Sequence, residues 1–302
     1  MSTSGWSGYR RAAKALVFWF LRYSGSAFWA RRAAQGRRVT VLAYHDPRPD
    51  TFDRHLALLT SLYSVAPLDA FLSARRTDDL RSLPRRTLVI TLDDGWAGNA
   101  RLLPVLERHG VRPTVFACTS IVGTDRHYWW THVADPTDQE RLKRLTEEER
   151  LRELASFGFA PDVEYPVRQA LSLEELAQMA PWVDLQAHSR THPVLPRCSD
   201  DVAASEIAGS AEDIERLTGL RSRAFAYPNG DCSERDAELV RRTGYECALT
   251  IDPGYNDAGT DPYRLKRVYI DDEAGLTELV VCASGVYGIL VRSMRRLAGG
   301  TA

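Results

Sequence analysis

The 302-residue chain predicts an α/β fold, an irregular seven-stranded β/α barrel in a single domain. Three observations predict it. Seven short, apolar, β-branched runs are spaced along the chain at 39–44, 87–92, 113–118, 183–187, 223–227, 245–250 and 267–270. Helix-like segments at 97–109, 203–218 and 233–243 alternate with several of these runs, which is the signature of parallel βα units. The length and ordinary apolar content suit one large core.

The first run, Val39-Thr40-Val41-Leu42-Ala43-Tyr44, ends in His45-Asp46. A His at a strand end is either satisfied by backbone or presented to a site. The second run, Thr87-Leu88-Val89-Ile90-Thr91-Leu92, delivers Asp93-Asp94-Gly95. In isolation Asp-Asp-Gly is usually a turn that caps the next helix. Adjacent carboxylates at a strand end can also divide two roles, one binding a divalent cation and the other left free as a base.

The third run is followed by Tyr128, Trp129 and Trp130, whose faces either close a core edge or stack on sugar rings. Residues 134–181 are too long for a loop and are highly charged between Thr137 and Glu153. They read as a helical insertion that shapes a cleft. The fourth run, Trp182-Val183-Asp184-Leu185-Gln186-Ala187, leads into His188-Ser189-Arg190-Thr191-His192-Pro193. Pro193 disfavours helical backbone at His192, so the pair sits on a loop or single turn. Two neutral imidazoles and one carboxylate would leave a zinc-like ion an open position for water. The fifth run, Arg223-Ala224-Phe225-Ala226-Tyr227, closes in Pro228-Asn229-Gly230, and Arg267 opens the last one.

Together these segments resemble the polysaccharide deacetylases of the NodB-homology type, carbohydrate esterase family 4, whose motifs read Thr-Phe-Asp-Asp-Gly, His-Ser/Thr-x-x-His and a Pro-containing turn before a Gly. The resemblance spans residues about 40 to 272. It implies Asp93 as general base and Asp94, His188 and His192 as ligands of a divalent metal, with Zn2+ first and Co2+ or Ni2+ as alternatives. It implies an oxyanion donor at the Asn229 main chain; the candidate substrate surface joins Tyr227 and Pro228 of that turn to Trp129 and Trp130, read from the stacking of sugars on aromatic faces. Two family features are missing: Ala226 occupies the position of an Arg that orients the catalytic Asp, and no Leu-x-His follows in the region Tyr263–Val268. Arg267 is the candidate replacement for the Arg, although a surface position is as consistent with the sequence. The Tyr44-His45 pair is similar to the branch of exopolysaccharide and poly-N-acetylglucosamine deacetylases, which makes His45 the candidate general acid. An imidazole both accepts and gives a proton near neutral pH.

The expected function is removal of acetyl groups from an N-acetylated amino sugar in a polysaccharide, lipid-linked glycan or precursor. An O-acetyl esterase or deformylase on the same site is the alternative enzyme. A non-catalytic glycan-binding relative is the alternative from another class.

The net charge of −1 hides two basic ends. Residues 1–38 hold eight Lys/Arg and no acid, residues 279–302 three Arg and no acid, and residues 39–278 hold 28 basic and 40 acidic residues. The run Ala15–Leu21 is too short to span a bilayer and has no clean cleavage site after it. With flanking Arg, Trp and Phe, the tail 1–38 suits an interfacial helix on an anionic membrane or a helix packed on the barrel. The barrel proper is expected over 39–273 and a C-terminal helix and tail over 274–302, with an apolar-rich helix at 275–297. Five scattered cysteines without a CxxC pair fit a reducing compartment, so the expected location is cytoplasmic, at the inner membrane face. No phosphate-cradling loop, repeat or nucleic-acid recognition module is visible.

Overall fold

The computed structural model describes residues 15–36, 38–288 and 290. Its sheet consists of β1 (Thr40–Tyr44), β2 (Ser64–Val65), β3 (Thr87–Asp94), β4 (Thr114–Ala117), β5 (Asp184–Ala187), β6 (Ala224–Ala226), β7 (Cys247–Leu249) and β8 (Val268–Tyr269). Each of the seven runs read from the sequence contains a strand. The additional β2 is two residues long and only half-buried, and pairs with Thr87 and Leu88 of β3.

The strands are ordered β7-β6-β5-β4-β3-β1-β8 and every pair is parallel. The sheet curls until its two ends meet. Leu249 bridges Leu265 in parallel, the Leu265 N–H donates to Ala248 O at 2.9 Å, and the Thr250 N–H donates to Leu265 O at 2.8 Å.

Side-chain alternation along the strands fills two layers. Val41, Val89, Phe116, Ala226, Leu249 and Leu265 form one buried cluster with Leu68, Phe71 and Leu72 of the helix Leu68–Arg76, which plugs the interior. Leu42, Leu88, Ile90 and Leu92 lie in a second cluster with Leu56 and Leu59 of Pro49–Leu62, Leu106 of Leu103–His109 and Leu279 of Leu276–Ala283. Because all strands run the same way, their carboxyl ends share one rim, where barrel enzymes build sites.

The 134–181 insertion is helical at Pro136–Leu142, Glu147–Leu154 and Leu173–Met179. Thr146 with Glu149, and Ser172 with Glu175, form capping boxes that start the last two. Trp129, Leu142, Leu154 and Phe159 fasten this insertion to the rim.

At the N-terminus residues 15–23 are helical and Ser26–Trp29 adds a further turn. Phe18 is buried and stacks on Tyr287 at 5.2 Å, so the first helix docks on the C-terminal one. The helix read at 275–297 is seen as Leu276–Ala283. The basic residues Arg10, Arg11, Lys14, Arg37, Arg292, Arg295 and Arg296 lie outside the described residues.

Candidate active site and metal centre

Asp93 and Asp94 are consecutive residues at the end of β3, and strict alternation would send their side chains to opposite faces. Both line the same cleft, of about 420 Å3, because Asp94 adopts a left-handed backbone with φ 70°. Gly95 continues the turn at φ 81°, and a Cβ there would approach Val122 Cγ1 to 2.9 Å. The rim is therefore built from conformations that L-residues seldom adopt, as is frequent at functional sites.

The histidine loop uses the same device. Ser189 and His192 have φ of 61° and 60°, and the His192 N–H donates to Ser189 Oγ at 3.0 Å. The loop folds so that His188 Nε2 and His192 Nε2 each come within 3.5 Å of Asp94 Oδ1. Ligand atoms of Asp94, His188 and His192 all lie within 4.8 Å of one another. His188 Nδ1 donates to Ala226 O at 2.7 Å, which fixes the tautomer and aims the Nε2 lone pair at the cluster. Burial pushes both imidazoles below the ordinary histidine value, His192 well below it, so these contacts are between neutral rings and a carboxylate. Burial pushes the Asp94 carboxyl up, and the Asp93 charge adds to it.

Asp94 Oδ1 and His192 Nδ1 are buried with no hydrogen-bond partner. Of these, Asp94 Oδ1 is the atom that both Nε2 groups approach, and an unpartnered buried carboxylate oxygen is costly unless a cation sits beside it. One carboxylate and two neutral imidazoles are the donor set that suits a divalent metal of the zinc class. The remaining Asp94 oxygen accepts from Trp96 Nε1 at 2.9 Å, and Asp94 O accepts from the Tyr128 hydroxyl at 3.0 Å.

Asp93 has a different partner. Arg267, on the chain leading into β8, is fully buried, and its Nη1 donates to Asp93 Oδ1 at 2.6 Å and to Thr91 Oγ1 at 3.2 Å. Arg267 Nε donates to Thr250 O at 2.9 Å, and the guanidinium lies 5.5 Å from the centre of the Phe116 ring. Burial opposes the Asp93 charge, but Arg267, assisted by His188 and His45, outweighs it and holds this carboxyl below the usual value. Arg267 thus supplies beside Asp93 a cation that Ala226 cannot.

His45 lines the cleft with an edge-on contact to Tyr269, ring centres 5.4 Å apart. Its backbone is clamped from distant parts of the chain. The His45 and Asp46 N–H groups donate to Asp272 at 3.1 and 2.9 Å, and Asn99 Nδ2 donates to His45 O at 2.8 Å. Sequence reading does not reveal Asp272 or Asn99, since neither carries a local signal. Trp96 has one, its place immediately after Asp-Asp-Gly.

Asn229 lines the cleft with φ 57°, and its buried Nδ2 has no partner. Trp129 and Trp130 form a wall: Trp129 Nε1 donates to His192 O at 3.2 Å, and the Trp130 ring lies 4.4 Å from that of His192. Tyr227 and Pro228, expected at the substrate surface, are outside the cleft lining. Tyr227 is fully buried, donates its hydroxyl to Tyr263 O at 3.0 Å and packs with Phe225 and Val240. Alternation explains the correction, because Tyr227 shares the helix-facing side of β6 with Phe225. Pro228 is also buried and sets the turn that presents Asn229.

The sequence pattern of the family described as polysaccharide deacetylase matches residues 81–248, over half the chain and including the Asp93-Asp94 and histidine segments. The chain belongs to the polysaccharide deacetylase family. It is 22% identical over 245 residues to YxkH of Bacillus subtilis (strain 168), assigned by name to the polysaccharide deacetylases, covering 77% of this chain and 71% of that one. Among solved structures, the Streptococcus pyogenes deacetylase PplD in complex with acetate is 17% identical with a TM-score of 0.61, over 82% of this chain and 98% of PplD. IcaB from Ammonifex degensii is 19% identical with a TM-score of 0.61, over 83% of this chain and 98% of IcaB. These structures share the fold with this polysaccharide deacetylase.

Proposed function

We propose that this polysaccharide deacetylase is a metal-dependent enzyme that hydrolyses the N-acetyl group of an amino sugar in a glycan. The observation that carries the reading is the pairing of the buried Asp94–His188–His192 cluster, in which Asp94 Oδ1 has no hydrogen-bond partner, with an adjacent carboxylate, Asp93, that is held ionised by a separate cation. A metal held only for structure has no use for that second carboxylate.

Asp94, His188 and His192 would hold the divalent cation, with zinc suited to the donors. When bound, it supplies Lewis acidity toward the acetyl carbonyl and toward water in an open position. Asp93 accepts the proton that the attacking water loses, and its charge is available because Arg267 opposes protonation. Asn229, through its main-chain N–H, donates to the oxygen that gains charge at the acetyl carbon. His45, with its backbone clamped by Asp272 and Asn99, gives a proton to the leaving sugar nitrogen. Trp130, with the buried Trp129 behind it, offers an apolar face to the sugar ring.

Acetate release from a panel of N- and O-acetylated sugars, with zinc, cobalt or chelator, tests this reading. Asp93→Asn is expected to cost about 10²- to 10⁴-fold in turnover while metal binding persists. Full activity in that variant would sink the assignment of the base. Release confined to O-acetyl sugars would move the reading to an esterase, and silence with metal bound would favour a glycan-binding relative.

A further inference from the structure

The N-terminal segment gathers exposed aromatic side chains that the barrel does not use. Phe18 and Ala27 are buried and Leu21 packs against the same core as Phe18, but Leu16, Trp19, Phe20, Tyr23, Phe28 and Trp29 are 52 to 68% exposed. The segment is held in place rather than trailing. Arg22 Nη1 donates to Leu276 O at 3.2 Å while Phe18 stacks on Tyr287, so the first helix runs antiparallel to the last.

Six large apolar side chains on a docked segment would be a solubility liability with no partner. Their chemistry and surrounding charge name one. Trp and Tyr favour the headgroup region of a bilayer, and the segment 1–38 holds eight Lys/Arg and no acid, complementary to an anionic surface. Among the described residues no helix is long and apolar enough to cross a membrane, so the geometry is that of a helix lying in the interface.

We propose that residues 15–32 are a docking surface for an anionic phospholipid bilayer. Trp19, Phe20 and Trp29 enter the boundary between headgroups and acyl chains, and Arg22 and Arg32 sit at the depth of the phosphates. The proposal is independent of the deacetylase chemistry.

The test is co-sedimentation of the full chain with vesicles of phosphatidylcholine alone and of phosphatidylcholine mixed with phosphatidylglycerol, with tryptophan emission followed in parallel. The expected result is salt-sensitive binding to the mixed vesicles with a blue shift. Trp19→Ala with Phe20→Ala should weaken binding by at least about tenfold, and Arg32→Glu by about tenfold, both with unchanged circular dichroism. A folded wild-type chain that stays in the supernatant with both vesicles overturns the proposal, as does wild-type binding by the aromatic variant. A dimer that Trp19→Ala with Phe20→Ala converts to monomer, without vesicle binding, would assign the patch to a second copy instead.

Discussion

Asp93 and Asp213 are two buried carboxylates that lie against arginine and are held below the ordinary carboxylate value, yet of the two only Asp93 faces the cleft. Asp93 stands on the barrel interior against Arg267, a fully buried guanidinium whose other bonds go to Thr91 and Thr250. Asp213 stands on the outer helix Asp200–Thr218, where it accepts from Thr119 Oγ1 at 2.7 Å, Arg190 Nε at 3.1 Å and Arg216 Nη2 at 2.5 Å. Arg190 belongs to the histidine loop, and Glu206 on the same helix accepts from the Arg190 and Thr191 N–H groups at 2.8 and 2.9 Å. The helix therefore braces from outside the loop that His188 and His192 occupy inside. The difference teaches that a depressed carboxylate marks chemistry only where it also opens onto a cleft; elsewhere the same physics is scaffolding.

Breaking the inner pair should have the largest effect. Arg267→Met leaves Asp93 buried without its cation, a change expected to cost about 3–5 kcal/mol of stability. In the same variant Asp93 rises toward and above the usual carboxylate value, so the acid limb of kcat/KM against pH moves to higher pH. An unchanged acid limb in a folded variant would show that Arg267 does not hold the base ionised. Trp129→Phe sharpens the comparison from the aromatic wall. It keeps a ring facing the Arg150 guanidinium, 5.1 Å from its centre in the wild type, but removes the indole N–H from His192 O. Losing a partner that orients a ligand should weaken metal affinity by about 10–100-fold in a chelator competition, with stability reduced less than in Arg267→Met. Wild-type affinity would mean that the loop's other partners, Glu206 and Asp213 among them, position it without the indole.

Much of the site is visible in the sequence because its ligands are local: Asp93-Asp94-Gly95 and His188 to His192 are each contained in five residues or fewer. Arg267 is legible only through the resemblance, as a late cation that could replace the Arg missing at Ala226. The clamp on His45 is not legible, since Asp272 is 227 residues away and its role depends on how β1 and β8 pair. Tyr227 is legible as a buried side chain through alternation, since Phe225 two residues earlier marks its face. The strand reading misses β2, whose Ser64 and Val65 are only half-buried, and finds the equally short β8 because Val268-Tyr269-Ile270 form an apolar run. At the N-terminus neither expectation excludes the other: Phe18 packs on the protein and the neighbouring aromatics face outward.

The outer pair predicts the smallest effect and the clearest sign. Burial opposes the Asp213 charge, but hydrogen bonds from Thr119 and Arg216 and the nearby Arg190 guanidinium outweigh it, so the folded carboxyl titrates below the unfolded one. A depressed carboxylate contributes stability that is fully present above the unfolded value, near ~3.9, and is lost as pH falls through the folded one. Arg216 is largely exposed at 70%, so most of this contribution comes from Thr119 and Arg190. Asp213→Asn should thus lower the urea midpoint at pH 7 by the equivalent of about 1–2 kcal/mol, with the gap to wild type shrinking below pH ~4. Because Glu206 still holds the Arg190 and Thr191 N–H groups, turnover should remain within a few-fold of wild type. A gap that is the same at pH 7 and pH 3 would remove charge from the account of this brace, and a loss of turnover as large as that of Arg267→Met would erase the distinction between scaffold and catalytic pair.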